Sequence, residues 1–336
     1  MNFLYFSIFI VIINSIFIVF YEKIGKFYNL YDFPIEKRKI HKKPVPLLGG
    51  LIFLINFILF FIFEILFNNN SFFNEIFLFS NRQIFIFFLC FLTVFFIGFI
   101  DDKLKLSPMT KLILLSSACY GFFSINQFMI INYIELGFLN MVIDLFELGL
   151  IFSIICVVFY VNSINMMDGI NLIVSLYLVS TSIILLLFNF QINFAVIMMI
   201  SSLFFIYLNS KGKIFLGDSG SYFISFIIAF VIISLYETKN LPSEQIIIFM
   251  FLPIIDSIRL FFLRIFSGKN PFHPDSNHLH FILLNRLGFK KTISLLFILF
   301  LIPILSVKQT VVEPIFILFF MILLYLTLLK IYNVKV

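Results

Sequence analysis

Long stretches of Phe, Ile and Leu alternate along this chain with short segments that hold most of its charge. A helix that crosses the hydrocarbon of a bilayer needs about 20 apolar residues, with about 17 as a working minimum. Eleven runs approach or meet that length: 3–21, 47–67, 83–100, 111–131, 148–162, 170–188, 192–208, 220–236, 245–265, 292–306 and 311–331. The fifth, seventh and tenth are short or closely linked, so ten or eleven spans are expected. The pattern predicts an all-α, polytopic integral membrane protein in which residues 1–336 form a single transmembrane domain.

Composition agrees. Of 336 residues, 62% are apolar or aromatic and only 12% are charged, against about 25% charged in an ordinary soluble domain. A mean hydropathy of +1.13 leaves more apolar surface than one aqueous core could hide. Disordered and collagen-like classes are excluded by the same numbers. Cys90, Cys119 and Cys156 are odd in number, widely spaced and set in apolar runs, so they read as small hydrophobes rather than as a disulfide, metal or redox set.

The first run has no basic residue before it, several after it beginning with Lys23 and Lys26, and no small-residue cleavage site, so a cleaved signal peptide is not expected. The basic flank places the amino terminus outside, and alternation puts 22–46, 101–110, 163–169, 209–219, 266–291 and the carboxyl terminus in the cytoplasm. Of the 23 basic residues, only Arg82, Lys239 and Lys308 fall outside those segments or the inner halves of spans. The net charge of +6 is thereby accounted for, and no nucleic-acid partner is needed. The run Lys37, Arg38, Lys39, Lys42 and Lys43 reads as an inner-face anchor attracted to anionic membrane lipids.

The acids are less ordinary. Asp101 and Asp102 close the third run at its inner end, where the helix dipole is negative and two adjacent carboxylates are unfavourable. They read either as a solvated stop, helped by Lys103 and Lys105, or as a pair that needs a cation or a proton. Asp168 precedes the sixth run and Asp218 the eighth, and each taken alone reads as a helix N-cap. All four nevertheless fall on one membrane face, and carboxylate oxygens are the ligands Mg²⁺ prefers. Gly217, Ser219, Gly220 and Ser221 surround Asp218 at a helix start, an arrangement that offers N–H groups to phosphate. The string GDSG also occurs around the nucleophile of trypsin-like proteases, but those are disulfide-rich β-barrels, and the GxSxG spacing of other hydrolases is absent.

His273, His278 and His280 lie within eight residues of one another in the last inner loop. Residues at i and i+2 face opposite sides of a helix, which excludes a zinc site of the HExxH type, whereas in a loop both could reach one anionic substrate. Asp256 and Arg259, inside the ninth run at i and i+3, can pair across a helical turn. They read either as a structural ion pair or, in a multi-pass transporter, as part of a pathway with the histidines as proton sensors. Transporters, however, gather polar groups near the midplane, and this chain keeps its acids at one surface.

Five segments in order, HKKPVPLLGG (41–50), GFIDDKLKLSP (98–108), NSINMMDGIN (162–171), IFLGDSGSY (214–222) and PIIDSIRLFFLRIFSGKNPFHPDSNHLH (253–280), resemble the polyprenyl-phosphate N-acetylhexosamine-1-phosphate transferases. The resemblance implies a catalytic transmembrane domain in the bacterial inner (cytoplasmic) membrane, with its active site facing the cytoplasm. There a HexNAc-1-phosphate passes from a UDP-N-acetylhexosamine to undecaprenyl phosphate and UMP leaves. It implies Mg²⁺ as cofactor, with Mn²⁺ as an alternative ion, and a homodimer is one assembly open to it. Asp218 and Asp168 are then the metal ligands, and Asp101, Asp102 and Asp168 the catalytic carboxylates, Asp101 being the proposed base toward the lipid phosphate. Lys105, Asn165, Gly217, Ser221, Arg264, His278 and His280 are the substrate-binding residues, with His278 expected to matter more than His273.

The chain departs from that pattern in two places. Asn171 and Leu172 stand where the family's most familiar form has a second Asp and Gly, and Phe281 stands where a further His often follows. The triple histidine of the phospho-MurNAc-pentapeptide translocases is absent, which favours a transferase that initiates a surface polysaccharide such as O-antigen.

Overall fold

A computed structural model describes residues 2–34, 41–68, 71–239, 241–271, 275–307 and 313–332. Its helices are α1 (Phe3–Tyr28), α2 (Gly49–Phe67), α3 (Ser71–Glu75), α4 (Asn81–Leu104), α5 (Pro108–Phe123), α6 (Gly149–Met167), α7 (Ile173–Leu187), α8 (Ile192–Asn209), α9 (Gly217–Lys239), α10 (Ser243–Phe266), α11 (Leu279–Leu287), α12 (Phe289–Leu301), α13 (Ile304–Val307) and α14 (Pro314–Ile331). Each of the eleven apolar runs corresponds to one of them. Among the described residues eight are long and apolar enough to cross a membrane. The shortfall against ten or eleven lies in α5, α7 and α12, whose 16, 15 and 13 residues reach about 20–24 Å at 1.5 Å per residue, short of a hydrocarbon core of about 30 Å. The chain is an all-α, multi-pass membrane protein.

Local chemistry sets the helix ends that matter. Ser80 and Gln83 form a reciprocal capping box at the start of α4, and Lys105, at φ 52°, ends it in the left-handed conformation. Two residues later Ser107 caps α5 and Pro108 occupies its first turn, so the chain reverses sharply just beyond the acid pair. The ends of α4, α6 and α10 and the starts of α5, α7, α9 and α11 thus share one end of the bundle.

Helix α9 is the axis of the molecule, buried at every residue from Ser219 to Tyr236 and packed on α2, α4 and α6. Its approach to α4 is backbone against backbone: a Cβ on Gly98 would lie 2.5 Å from the carbonyl oxygen of Asp218 and from the amide of Ser219. Buried Phe rings fill the space around this contact, among them Phe57, Phe61, Phe87, Phe91 and Phe223. Within the apolar zone Asn56 donates to Ser201 at 2.8 Å and exchanges side-chain hydrogen bonds with Asn14, tying α1, α2 and α8 together.

Two small antiparallel ladders interrupt the helices. Strands β1 (Tyr31–Asp32) and β2 (Val45–Pro46) bring the 41–50 segment to the start of α9, where the amides of Gly49 and Gly50 donate to the carbonyls of Phe215 and Leu216 at 2.9 and 3.1 Å. Strands β3 (Tyr133–Leu136) and β4 (Met141–Asp144) form a hairpin between α5 and α6. Lys37, Arg38, Lys39, His273 and Lys308 lie outside the described residues.

Candidate active site

The unfavourable acid pair at the end of α4 is resolved by partners on other helices. Asp102 accepts hydrogen bonds from the backbone amides of Asp218 (2.8 Å) and Ser219 (3.1 Å), and so satisfies two free N–H groups in the first turn of α9. Gly217, at φ 76°, permits that approach, since a Cβ there would stand 2.7 Å from Asp102 Oδ2. Asp101, 2% exposed, accepts from the amide of Leu106 (2.8 Å) and the hydroxyl of Tyr222 (3.3 Å), and forms an ion pair with Lys111. Neither acid is a solvated stop.

Lys111 also reaches Asp218 Oδ2 at 3.5 Å, so one ammonium stands between carboxylates of α4 and α9. In the sequence Lys111 reads as one more inner-face charge. The signal available was a single Lys at the head of an apolar run, ten residues after an acid pair. Asp218 Oδ1 accepts from Asn165 Nδ2 at 2.7 Å, and the same nitrogen donates to Ser221 Oγ at 2.9 Å. Ser221 is fully buried and engaged in this contact, and the first amides of α9 serve Asp102. Gly217 and Ser221 thus both belong to the framework that holds Asp102 and Asp218 in place.

Asp168 is not the N-cap of α7; it closes α6, its amide donating to the carbonyls of Ile164 and Asn165 at 3.1 and 3.2 Å. Among the described residues its carboxylate has no hydrogen-bond partner. Burial, then the charges of Asp218 and Asp102, push its pKa well above the usual carboxylate range. Four carboxylates thus converge at one end of the bundle, with the Lys111 ammonium paired to two of them, Asp101 and Asp218. An unpartnered carboxylate beside two others, all with hard oxygen donors, suits a divalent cation. Asn171, where the resembling family has Asp, donates instead to the carbonyl of Asn209 at 3.0 Å, and Leu172 adopts φ 74°.

The histidines build a second wall. His278 is the N-cap of α11, with extended backbone (φ −62°, ψ 145°), so its ring folds back over the first turn and stacks on His280 at 5.3 Å between centroids. The separation expected of i and i+2 on a helix is thereby cancelled. His278 Nδ1 meets Asp256 Oδ2 at 2.9 Å. Asp256 also pairs with Arg259 at 2.8 Å and accepts from Tyr325 of α14 at 2.8 Å, while Arg259 donates to Tyr325 and to the carbonyl of Asn277. This pair is a structural clamp between α10, the loop and α14, and both members are committed within it.

His280 is 3% exposed, and among the described residues its Nε2 has no hydrogen-bond partner. Burial, then the neighbouring His278, lowers its pKa to about 3. Its Nε2 lies against Gly169, next to Asp168, where a Cβ could not be accommodated. The histidine wall therefore abuts the carboxylate cluster. A small pocket lined by Ser163, Met167, Asp256, His278 and His280 lies between α6, α7, α10, α11 and α12. Lys105 is exposed at the end of α4, whereas Arg264 is buried and donates to Asp275 (2.9 Å) and to the carbonyl of Pro271 (2.8 Å).

Residues 84–236, which carry all four clustered acids, Lys111 and Asn165, match the model of glycosyl transferase family 4. Over that segment the chain resembles glycosyl transferase family 4. It is similar to the undecaprenyl-phosphate alpha-N-acetylglucosaminyl 1-phosphate transferase of Escherichia coli K12, 25% identical over 299 residues that cover 83% of this chain and 76% of that one. It is also similar to a probable undecaprenyl-phosphate N-acetylglucosaminyl 1-phosphate transferase of Bacillus subtilis, 27% identical over 229 residues, 65% of this chain and 62% of that one. The Pasteurella multocida transferase of the first name is 33% identical over 76 residues, 22% and 21% of the two chains. The chain is accordingly a membrane transferase.

Proposed function

We propose that this chain transfers an N-acetylhexosamine 1-phosphate from a UDP-sugar to undecaprenyl phosphate, releasing UMP and starting a surface polysaccharide. The observation that carries the reading is the convergence of Asp101, Asp102, Asp168 and Asp218 from three helices at one end of a membrane bundle. The relatives' names support the donor and acceptor chemistry. The site is assigned to the cytoplasmic face of the bacterial inner membrane, and residues 1–336 to one catalytic domain.

In this reading an oxygen of the lipid phosphate attacks the sugar-bearing phosphorus of the UDP-sugar, and the bond to the UMP oxygen breaks. Such transfer asks for positioning and charge neutralisation more than for covalent help from the protein. Asp218 and Asp168 are the residues that would hold Mg²⁺, which supplies charge neutralisation at the pyrophosphate. Asn165 orients Asp218, and Asp102 fixes the start of α9 beneath it. Asp101, tied to Lys111, Tyr222 and Leu106, holds the floor of the site. An acceptor phosphate already ionised near neutral pH requires little from a base. His278, oriented by Asp256, and His280 face the sugar-nucleotide side. The commitment of Asp256 and Arg259 to one another, to Tyr325 and to the loop supports an enzyme over a transporter pathway.

The test is release of UMP by the purified protein from a panel of UDP-N-acetylhexosamines, with undecaprenyl phosphate and Mg²⁺. Turnover with one such donor, lost on adding EDTA and lowered on the order of 10²–10³-fold in Asp218→Asn, is expected. Folded protein that releases no UMP from any of them, or that accepts only UDP-MurNAc-pentapeptide, overturns the assignment.

A further inference from the structure

The β3–β4 hairpin sits at the end of the bundle opposite the carboxylates and is held from one side only. The hydroxyl of Tyr133 donates to Glu237 at 3.0 Å, the amide of Glu135 to Tyr236 at 2.9 Å, and the amides of Gly137 and Phe138 to Glu244 at 3.2 and 2.9 Å. Every one of these anchors comes from β3 or the turn. Strand β4 is exposed along its length, and the apolar residues around it face outward: Phe138 is 49% exposed, Leu139 55%, Val142 58% and Phe146 82%. Phe146 carries its ring out from a left-handed backbone (φ 49°), a conformation that a bulky residue adopts at a cost.

A patch of this kind is not stable against water. It leads on to the outer flank of α6, where Leu148, just before the helix, and Ile151 and Ile155 on it are exposed on a span-length apolar segment. The neighbour of that flank is lipid. We infer that the hairpin and the turn after it lie in the bilayer interface as a lipid-contacting flange, with Phe138, Leu139, Val142 and Phe146 set at the boundary of headgroups and acyl chains. No Lys or Arg occurs between Lys111 and Lys211, while Glu135, Asp144 and Glu147 accompany the hairpin. The hold is therefore apolar, and it is indifferent to salt and to anionic lipid.

The chain contains no Trp, so one introduced Trp is an unambiguous reporter. Full-length Phe146→Trp and Val142→Trp proteins, with Ile155→Trp as the lipid-facing reference, are reconstituted separately in phosphatidylcholine vesicles. The readouts are emission wavelength, quenching by brominated phosphatidylcholine and quenching by aqueous iodide. Blue-shifted emission, quenched at least twofold by brominated lipid, little by iodide, and alike at 50 mM and 1 M NaCl, is the expected result. Emission at the wavelength of exposed indole with strong iodide quenching would place the flange in water. Blue-shifted emission that brominated lipid leaves unquenched would mean that protein, such as a second copy of the chain, covers it. Either overturns the inference. Should one variant fail to give the circular dichroism of a folded helical protein, the other reads the same face.

Discussion

Asn165 Nδ2 lies 2.7 Å from Asp218 Oδ1 and joins the last turn of α6 to the first turn of α9. Because the same nitrogen holds Ser221, the amide can take only one orientation, and Asp218 is left with one oxygen free of it. Asn165→Ala removes the orienting bond without touching a charge. Turnover is expected to fall about 10–100-fold, with a higher Mg²⁺ requirement, as is usual when a ligand's supporting hydrogen bond is lost. UMP release titrated against Mg²⁺ checks this, and an unchanged titration would remove Asn165 from the site.

Lys111 is the ammonium that holds two of the clustered acids, and Asp101 is buried beneath it. Lys111→Met leaves that carboxylate uncompensated at a site the lysine itself only partly shields from solvent. A loss of about 1–3 kcal/mol is expected, below the value for a fully buried pair. Adding Asp101→Asn should recover at least half of it. Thermal unfolding of the single and double variants in detergent decides; a double variant no more stable than the single would show that the pair does not act as a unit.

The pKa of His280, lowered to about 3 in the fold, predicts acid sensitivity of a definite sign. The ring faces His278, which opposes its protonation, and Asp256, which favours it but is already paired with Arg259. Between pH 6.5 and about 3 the unfolded chain takes up a proton that the folded protein refuses, so stability falls as pH falls through that window. At pH 5 the effect is about 2 kcal/mol. In His280→Gln the drop in Tm from pH 7.5 to 5 should be smaller than in the parent. Parallel curves would contradict the assignment.

Leu172, at φ 74°, pays for a left-handed backbone where the resembling family has Gly. Both Leu172→Ala and Leu172→Gly delete the half-buried side chain, but only Gly relieves the backbone. The Gly variant should be the more stable of the two by about 1 kcal/mol, the reverse of the order found at ordinary helix positions. Comparing their melting temperatures isolates the term, and an Ala variant at least as stable would refute it.

The helices were legible because a bilayer demands length and apolarity, and each of the runs met that demand in one dimension. Three fell short of a full crossing because α5 stops at Ser124, α7 starts only after the turn at 168–172 and α12 stops at Ile302, and such turns are local events inside apolar text. The 111–131 run hid its own end: helix α5 stops at Phe123, and apolar residues go on into the loop before the hairpin. The acids were legible as a set because they share a membrane face. Their division of labour was not, since the bond from the amide of Asp218 to Asp102 spans 116 residues that only packing brings together, and the turn that returns Lys111 to Asp101 is a local event. The stacking of His278 on His280 was legible only as an option of a loop, because the i and i+2 rule separates them only where both residues are already helical.

Helix α9 carries Asp218 at its tip and has no flank that faces out of the protein. Acyl chains can press only on the helices around it, so a change of bilayer thickness or fluidity must be passed through α2, α4 or α6 before it reaches the acid. The sturdiest point of that relay is the bare backbone contact at Gly98, where there is no side chain to compress. The reacting end of the molecule is thus insulated from the solvent it lives in, and an enzyme that must draw its acceptor from a fluctuating lipid phase keeps a steady geometry in which to meet it.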